Sequence, residues 1–167
     1  MHLNLEDNSN IKLDRSTLGD LIDYINDSDG EFGVGNTRFG EVPSQSDVGN
    51  NVEEYLKYAL SIKKAGNERP IGLIFFRDIN GKALELSIIL KKEYRNKNIL
   101  YHLVELNEKL KADSGIEFLH TLLRGFLKSR IVTSVTKNSH LEKILIKLGF
   151  IMDQRYTGNN KVLYSLY

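Results

Sequence analysis

The stretch Ile71-Gly-Leu-Ile-Phe-Phe-Arg-Asp-Ile-Asn-Gly-Lys-Ala-Leu-Glu-Leu-Ser-Ile-Ile-Leu90 decides the fold class. Two apolar, β-branched and aromatic runs, Ile71–Arg77 and Ala83–Leu90, flank Asn80-Gly81. An Asn-Gly pair between such runs is the strongest short-range signal for a hairpin, because both residues tolerate the positive φ of a tight turn. Just upstream, Ala59–Lys63 reads as a further strand. Three strands therefore arrive in succession, joined by short turns, which points to an antiparallel sheet.

After Tyr94 the apolar period changes. Leu100, Leu103, Val104, Leu106 and Leu110 fit a helix. Asp113-Ser114-Gly115 interrupts the pattern, and Ile116, Leu119, Leu122, Leu123, Phe126 and Leu127 form a second helical stripe. Ile131–Val135 is a β-branched strand. Asn138-Ser139 can cap a helix carrying Leu141, Ile144, Leu145 and Leu148, with Gly149 as its C′ residue. Two closing strands, Ile151–Tyr156 and Val162–Tyr167, surround Gly158-Asn159-Asn160.

Towards the N-terminus, Val52–Tyr58 looks like the end of a helix. Ser16-Thr17 can cap another that carries Leu18, Leu21, Ile22 and Ile25. Ile11–Asp14 and His2–Leu5 both alternate, and either can supply the first strand. Asp27–Asn50, with Gly30, Gly33, Gly35, Gly40, Gly49 and Pro43, reads as a long loop. It is either a flexible connector or a lid over an acceptor site. The expected order is β-α-α-β-β-β-α(α)-β-α-β-β. This is a mixed α/β (α+β) domain spanning 1–167, with a largely antiparallel twisted sheet of about six or seven strands and about four or five helices.

Composition narrows the function. The chain has 23 Lys+Arg against 22 Asp+Glu, a net charge of +1, so it lacks the basic excess of a nucleic-acid binder. With no cysteine there is no disulfide, no Cys-ligated zinc and no thiol nucleophile; any acyl transfer is expected to be direct. His2, His102, His120 and His140 form no helical i, i+4 pair, and no metal is expected. Met1–Asn10 has no apolar signal core, and no run approaches the roughly 20 apolar residues of a membrane span. A soluble, cytoplasmic protein is expected.

Three segments together resemble the GNAT superfamily of N-acetyltransferases. Ala83–Ile99, through Glu93-Tyr-Arg-Asn-Lys-Asn-Ile99, is similar to the family's fourth strand running into the pyrophosphate loop Arg/Gln-x-x-Gly-x-Gly/Ala. Val132–Asn138 is similar to the fifth strand, and Lys147-Leu-Gly-Phe150 to the end of the fourth helix. The resemblance covers about Tyr55 to Tyr167. Pro70-Ile-Gly-Leu-Ile74 and a Leu at Leu145 look nearest to the branch that acetylates ribosomal-protein N-termini and some antibiotics.

The resemblance implies acetyl-CoA as co-substrate. The backbone of Ser87, Ile88, Ile89 and Leu90 would pair with the pantetheine arm. Arg95, Asn96, Lys97, Asn98, Ile99 and Leu100 would cradle the pyrophosphate at a helix N-terminus, where free N–H groups and the dipole favour anions. Lys91 and Lys92 would add positive charge. Asn98 and Leu100 depart from the family's small residues, and Leu100 would crowd the phosphates unless it turns to the core. Ala112-Asp-Ser-Gly-Ile-Glu117 offers a second register, less well matched. Asn138 would bond the CoA arm or cap the following helix.

Direct transfer needs a base for the amine, a polarised thioester carbonyl and a proton for the thiolate. Glu85 is the candidate base; the alternative is a Glu paired across the hairpin. Leu145 stands where relatives often carry an acidic Tyr, leaving Ser139, Tyr156 and Tyr164 as substitutes. The implied function is acetyl transfer to a primary amine, on a protein N-terminus, a lysine, an amino sugar or a small amine. Asp27, Asp29, Glu31, Glu41 and Asp47 either attract such a cation or are ordinary solvated charges. The alternatives are a catalytically degenerate GNAT-fold binding module and a module that dimerises through an open sheet edge.

Overall fold

The computed structural model describes residues 5–6, 11–32, 41–95, 99–114, 124–158 and 160–167. Its strands are β1 (Leu5–Glu6), β2 (Ile11–Arg15), β3 (Leu60–Lys64), β4 (Gly72–Asp78), β5 (Ala83–Leu90), β6 (Arg130–Thr136), β7 (Ile151–Gly158) and β8 (Lys161–Leu166). Its described α-helices are α1 (Leu18–Ile25), α2 (Gln45–Asn50), α3 (Val52–Tyr58), α4 (Ile99–Ser114) and α5 (His140–Lys147). The strands form one sheet in the order β1-β2-β3-β4-β5-β6-β8-β7. Among the described strands only β5 and β6 pair in parallel.

The Asn80-Gly81 turn sits where the sequence puts it. Asn80 Oδ1 accepts from the N–H groups of Lys82 (3.0 Å) and Ala83 (2.9 Å), closing the β4–β5 hairpin. Ile11–Asp14 is a strand as expected, and Leu5–Glu6 pairs with Lys12–Leu13, while residues 2–4 of the other candidate lie outside the described residues. The long loop proves partly helical. Ser44 Oγ accepts from Asp47 N–H at 3.1 Å and caps α2, a helix that the Gly, Ser and Asn content of this stretch concealed. Asp113-Ser114 continue α4 rather than interrupting it. Most of the second helical stripe lies outside the described residues.

The core has two halves, one on each face of the sheet. Ile74, Phe76, Leu84, Leu86, Ile88 and Leu90 pack with Leu100, Leu103, Ile144 and Leu145 from α4 and α5. Leu73, Phe75 and Ile89 pack with Leu21, Tyr24, Val48 and Tyr55 from α1, α2 and α3. β4 and β5 are therefore buried on both faces, which is why they read as apolar runs without clean alternation. Each fully buried Leu, Ile or Phe contributes about 1.5–3 kcal/mol.

Helix ends are closed by local chemistry. Thr17 and Asp20 form a capping box at α1. The buried Asp20 carboxylate also accepts from Ser61 Oγ at 2.8 Å and pairs with Lys63 Nζ at 3.3 Å. At the end of α5, Phe150 N–H donates to Leu145 C=O and Gly149 N–H to Ile146 C=O. With Gly149 at φ 93°, this is a Schellman motif.

Gly72 lies opposite Leu90 in the ladder. A Cβ there would stand 2.6 Å from Leu90 Cδ2 and 2.7 Å from the Ile89 carbonyl oxygen, the second a backbone atom that cannot rotate away. Gly72→Ala should therefore lower stability by about 1–3 kcal/mol. The expected reading is a reduced denaturant midpoint with an unchanged m-value.

Candidate active site

Alternate residues of β5 direct their backbone groups to opposite neighbours. The Ala83 carbonyl accepts from Ile79 N–H, and Lys91 N–H donates to the Ile71 carbonyl. Odd-numbered residues thus bond towards β4, and even-numbered residues face β6. Towards β6 the parallel register runs Ala83↔Arg130, Leu84↔Ile131, Glu85↔Val132 and stops. Both strands continue, β5 to Leu90 and β6 to Thr136. The N–H and C=O of Ile88 and the N–H of Leu90 therefore face a slot in which the ladder gives them no partner among the described residues. At the closed end, Thr133 Oγ1 donates to the Leu86 carbonyl at 3.0 Å. At the open end, Arg95 Nε donates to the Leu90 carbonyl at 3.2 Å.

On the α1–α3 face of β4 and β5 lies a cleft of ≈ 410 Å³, lined by Glu41, Asp47, Tyr55, Arg77, Glu85 and Ser87 among others. Arg77 and Glu85 are opposite each other in the hairpin register, and Arg77 Nη2 donates to Glu85 Oε1 at 3.1 Å. Ser87 Oγ donates to the Glu41 carbonyl at 2.8 Å, tying the 41–44 segment to β5. Tyr55 OH donates to Asp47 Oδ2, and Tyr24 OH to the Pro43 carbonyl. Burial, followed by the Asp47 carboxylate, pushes the Tyr55 hydroxyl far above its ordinary range, so it keeps its proton. Three carboxylates, Glu41, Asp47 and Glu85, share this lining with one guanidinium.

The sequence-derived candidates fall in several places. Glu85 lies at the last β5–β6 pair and lines the cleft, and it carries the cross-hairpin partner that was its alternative reading. The Ile88 and Leu90 backbones face the slot; those of Ser87 and Ile89 bond towards β4. Ile99 and Leu100 open α4 with side chains in the core, only 5% and 4% exposed, so Leu100 does turn inward. Arg95 ends the 3-10 turn Lys92–Tyr94. Asn96, Lys97 and Asn98 lie outside the described residues. In the second register Ala112–Ser114 form the last turn of α4, and 115–117 lie outside the described residues.

Other residues prove to be engaged locally. Lys91 is buried, not aimed at a phosphate: its Nζ meets Asp23 at 3.2 Å and Glu31 at 3.8 Å, over the Phe32 ring at 4.8 Å. Lys92 is exposed. Ser139 caps α5, its Oγ accepting from Glu142 N–H at 3.3 Å, and Asn138 N–H donates to Glu142 Oε1 at 3.3 Å. Tyr164 is buried, and burial followed by Glu142 raises its hydroxyl. Leu145 is fully in the core. Of the acidic loop residues, Glu41 and Asp47 reach the cleft, whereas Asp27 accepts from the N–H groups of Glu31 and Phe32. Arg77, Tyr55 and Thr133 were missed. Arg77 meets Glu85 because the turn is one residue longer than a two-residue Asn-Gly loop, which would set Arg77 opposite Leu84; nothing local marked Tyr55 or Thr133. Among the described residues no cluster of three His, Cys, Asp or Glu forms a metal site, and no helix is long and apolar enough to cross a membrane.

The sequence matches no family model and no curated protein. Solved structures do match. The acetyltransferase (GNAT family) from Bacillus anthracis is similar at 15% identity over 99% of this chain and 98% of that one, with a TM-score of 0.57. The ribosomal-protein-S5-alanine acetyltransferase from Vibrio fischeri aligns at 13% identity over 97% and 95%, TM-score 0.61. The GNAT domain of S. lividans PAT aligns at 11% identity over 99% and 95%, TM-score 0.62. At such identities the likeness establishes architecture: the chain has the GNAT acetyltransferase fold.

The Lys91 cluster makes a pH-dependent prediction. Burial raises the Asp23 carboxyl, but hydrogen bonds from Arg69 and Lys91 outweigh it and hold the group below its ordinary value. A depressed carboxyl adds stability above its unfolded pKa and loses it as pH falls through the folded value. Asp23→Asn should cost about 1–3 kcal/mol at neutral pH, chiefly through the buried Lys91. The gap to wild type should close as pH falls below about 4 in parallel denaturation series.

Proposed function

We propose that the chain is an acetyl-CoA-dependent N-acetyltransferase that moves an acetyl group directly to a primary amine. The observation that carries this reading is the slot beside Ile88 and Leu90, which opens next to a cleft holding Glu85. The GNAT fold supports acyl transfer in general, and the slot supplies free backbone donors and an acceptor of the kind a pantetheine arm needs. Leu100, turned into the core, does not itself crowd the N-terminus of α4. That helix start directly follows β5, which supports the Arg95–Leu100 register over the one at 112–117.

Acetyl-CoA would supply an activated acetyl thioester. The N–H groups of Ile88 and Leu90 would hold it and polarise its carbonyl. Glu85 would take a proton from the acceptor ammonium, directly or through water. Arg77 fixes the orientation of that carboxylate. The neutral amine would then form its bond to the acetyl carbon as the carbon–sulfur bond breaks, and the second proton shed by the new amide nitrogen would pass, through water, to the CoA sulfur, which leaves as the thiol. Glu41 and Asp47 favour a cationic acceptor, whether a protein N-terminus, a lysine, an amino sugar or a small amine. The proposed setting is the cytoplasm, and the proposed self-association is a homodimer through the β7 edge, where Ile151 is exposed.

A second reading, a non-catalytic module, is favoured by Leu145 in the core and by the engagement of Glu85 with Arg77.

Calorimetric titration with acetyl-CoA, followed by thioester turnover over an amine panel, separates the two. Binding is expected, weakened by Arg95→Ala and left intact by Gly115→Leu. Glu85→Gln should lower kcat/KM by about 10²–10⁴-fold with acetyl-CoA affinity unchanged. Absence of wild-type binding would sink the acetyltransferase and leave the module.

A further inference from the structure

We infer that Thr133 is a positioning residue: its hydroxyl ends the β5–β6 ladder and so sets where the slot begins. The inference rests on the acetyltransferase reading for the slot's purpose, but its structural content stands apart from it.

In a continued parallel ladder the next bond after Glu85↔Val132 would run from Ser134 N–H to the Leu86 carbonyl. The direction of the β6 backbone supports this. Lys137 N–H donates to the Asn160 carbonyl on the β8 side, so odd residues of β6 bond towards β8 and even ones face β5. The Leu86 carbonyl instead takes Thr133 Oγ1 at 3.0 Å, and both residues are 1% exposed. A side-chain hydroxyl thus occupies the acceptor that the backbone would otherwise use. Ser and Thr side chains compete with ladders in this way. The bond also removes the cost of opening the sheet at that point, because the buried carbonyl is not left orphaned.

The opposite end of the slot is treated alike, with the Leu90 carbonyl taken by Arg95 Nε. Two side-chain bonds bracket a segment in which the ladder leaves the Ile88 N–H and C=O and the Leu90 N–H without a partner among the described residues. Thr133 therefore determines how far a bound arm can advance, and so the distance between its reactive end and Glu85. Without the hydroxyl, Ser134 N–H is free to close on Leu86, and the slot shortens from its inner end.

The test combines amide hydrogen exchange by NMR with calorimetric titration of CoA, on wild type, Thr133→Val and Thr133→Ser. In wild type and Thr133→Ser, the Ser134 and Ile88 amides should exchange much faster than those of Leu86 and Val132. In Thr133→Val, Ser134 should gain protection, and CoA affinity should fall on the order of tenfold. A purely structural hydroxyl would change global stability without protecting Ser134. Should Thr133→Val not fold, wild type and Thr133→Ser still decide. A wild-type Ser134 amide as protected as Val132, or a Thr133→Ser protein in which Ser134 becomes protected, overturns the inference. Exchange as expected with no CoA binding in wild type upholds the wedge and defeats the acetyltransferase reading instead.

Discussion

The structure turns on one short stretch of parallel pairing. β5 and β6 share three residue pairs and then part, although both strands run on. Elsewhere in this sheet neighbouring strands are antiparallel, mostly joined by local connections. The β5–β6 contact closes across the α4 crossover, where chain entropy must be offset by packing on that helix and on α5. Ending the pairing early leaves backbone groups without partners in the middle of a buried sheet. Such groups are normally satisfied, and among the described residues the two terminal carbonyls are, by Thr133 and Arg95.

The layer formed by α1, α2 and α3 serves the other side of the same strands. Tyr24 and Tyr55 pack on Phe75 with ring centroids 5.2 and 5.8 Å away, and Phe32 meets Tyr24 edge-on. The hydroxyls of both tyrosines reach back to the 43–47 segment, so one aromatic cluster fixes both the core and the wall of the cleft. Ser87 does the same from the sheet side. The acidic lining is therefore held by buried scaffolding rather than by the loop's own preferences. Lys91 belongs to this scaffold too; its ammonium lies over Phe32 and against Asp23, joining the end of β5 to α1.

Much of the fold was legible because its signals are local. The Asn80-Gly81 turn, the alternation at Ile11, the Thr17 cap and the Gly149 stop each depend on a few adjacent residues, and each element forms where they place it. α2 was not legible, because Gln45-Ser-Asp-Val-Gly-Asn50 has poor helix formers and one buried apolar residue, Val48. It exists because Ser44 caps it and because Val48 docks on the aromatic cluster. Within the candidate site, strand position and resemblance pointed to Glu85 and to the Ser87–Leu90 backbone, of which Ile88 and Leu90 face the slot while Ser87 and Ile89 bond towards β4. Lys91 misled because a basic run looks solvated until the neighbouring helix supplies a half-buried carboxylate, Asp23, to hold its buried ammonium.

The sequence by itself determined most of the strands and helices in their order, the place of the β4–β5 hairpin, and the absence of thiol chemistry. These are consequences of side-chain periodicity, turn geometry and composition, all of which act over a few residues. Only the tertiary structure decided that β6 lies beside β5 for three pairs and no further, that Leu100 faces the core, and that Glu41, Asp47 and Glu85 line one cleft. Those facts depend on contacts between segments dozens of residues apart. Which of several compatible contacts forms is settled by packing over the whole sheet, not by the preferences of any one stretch.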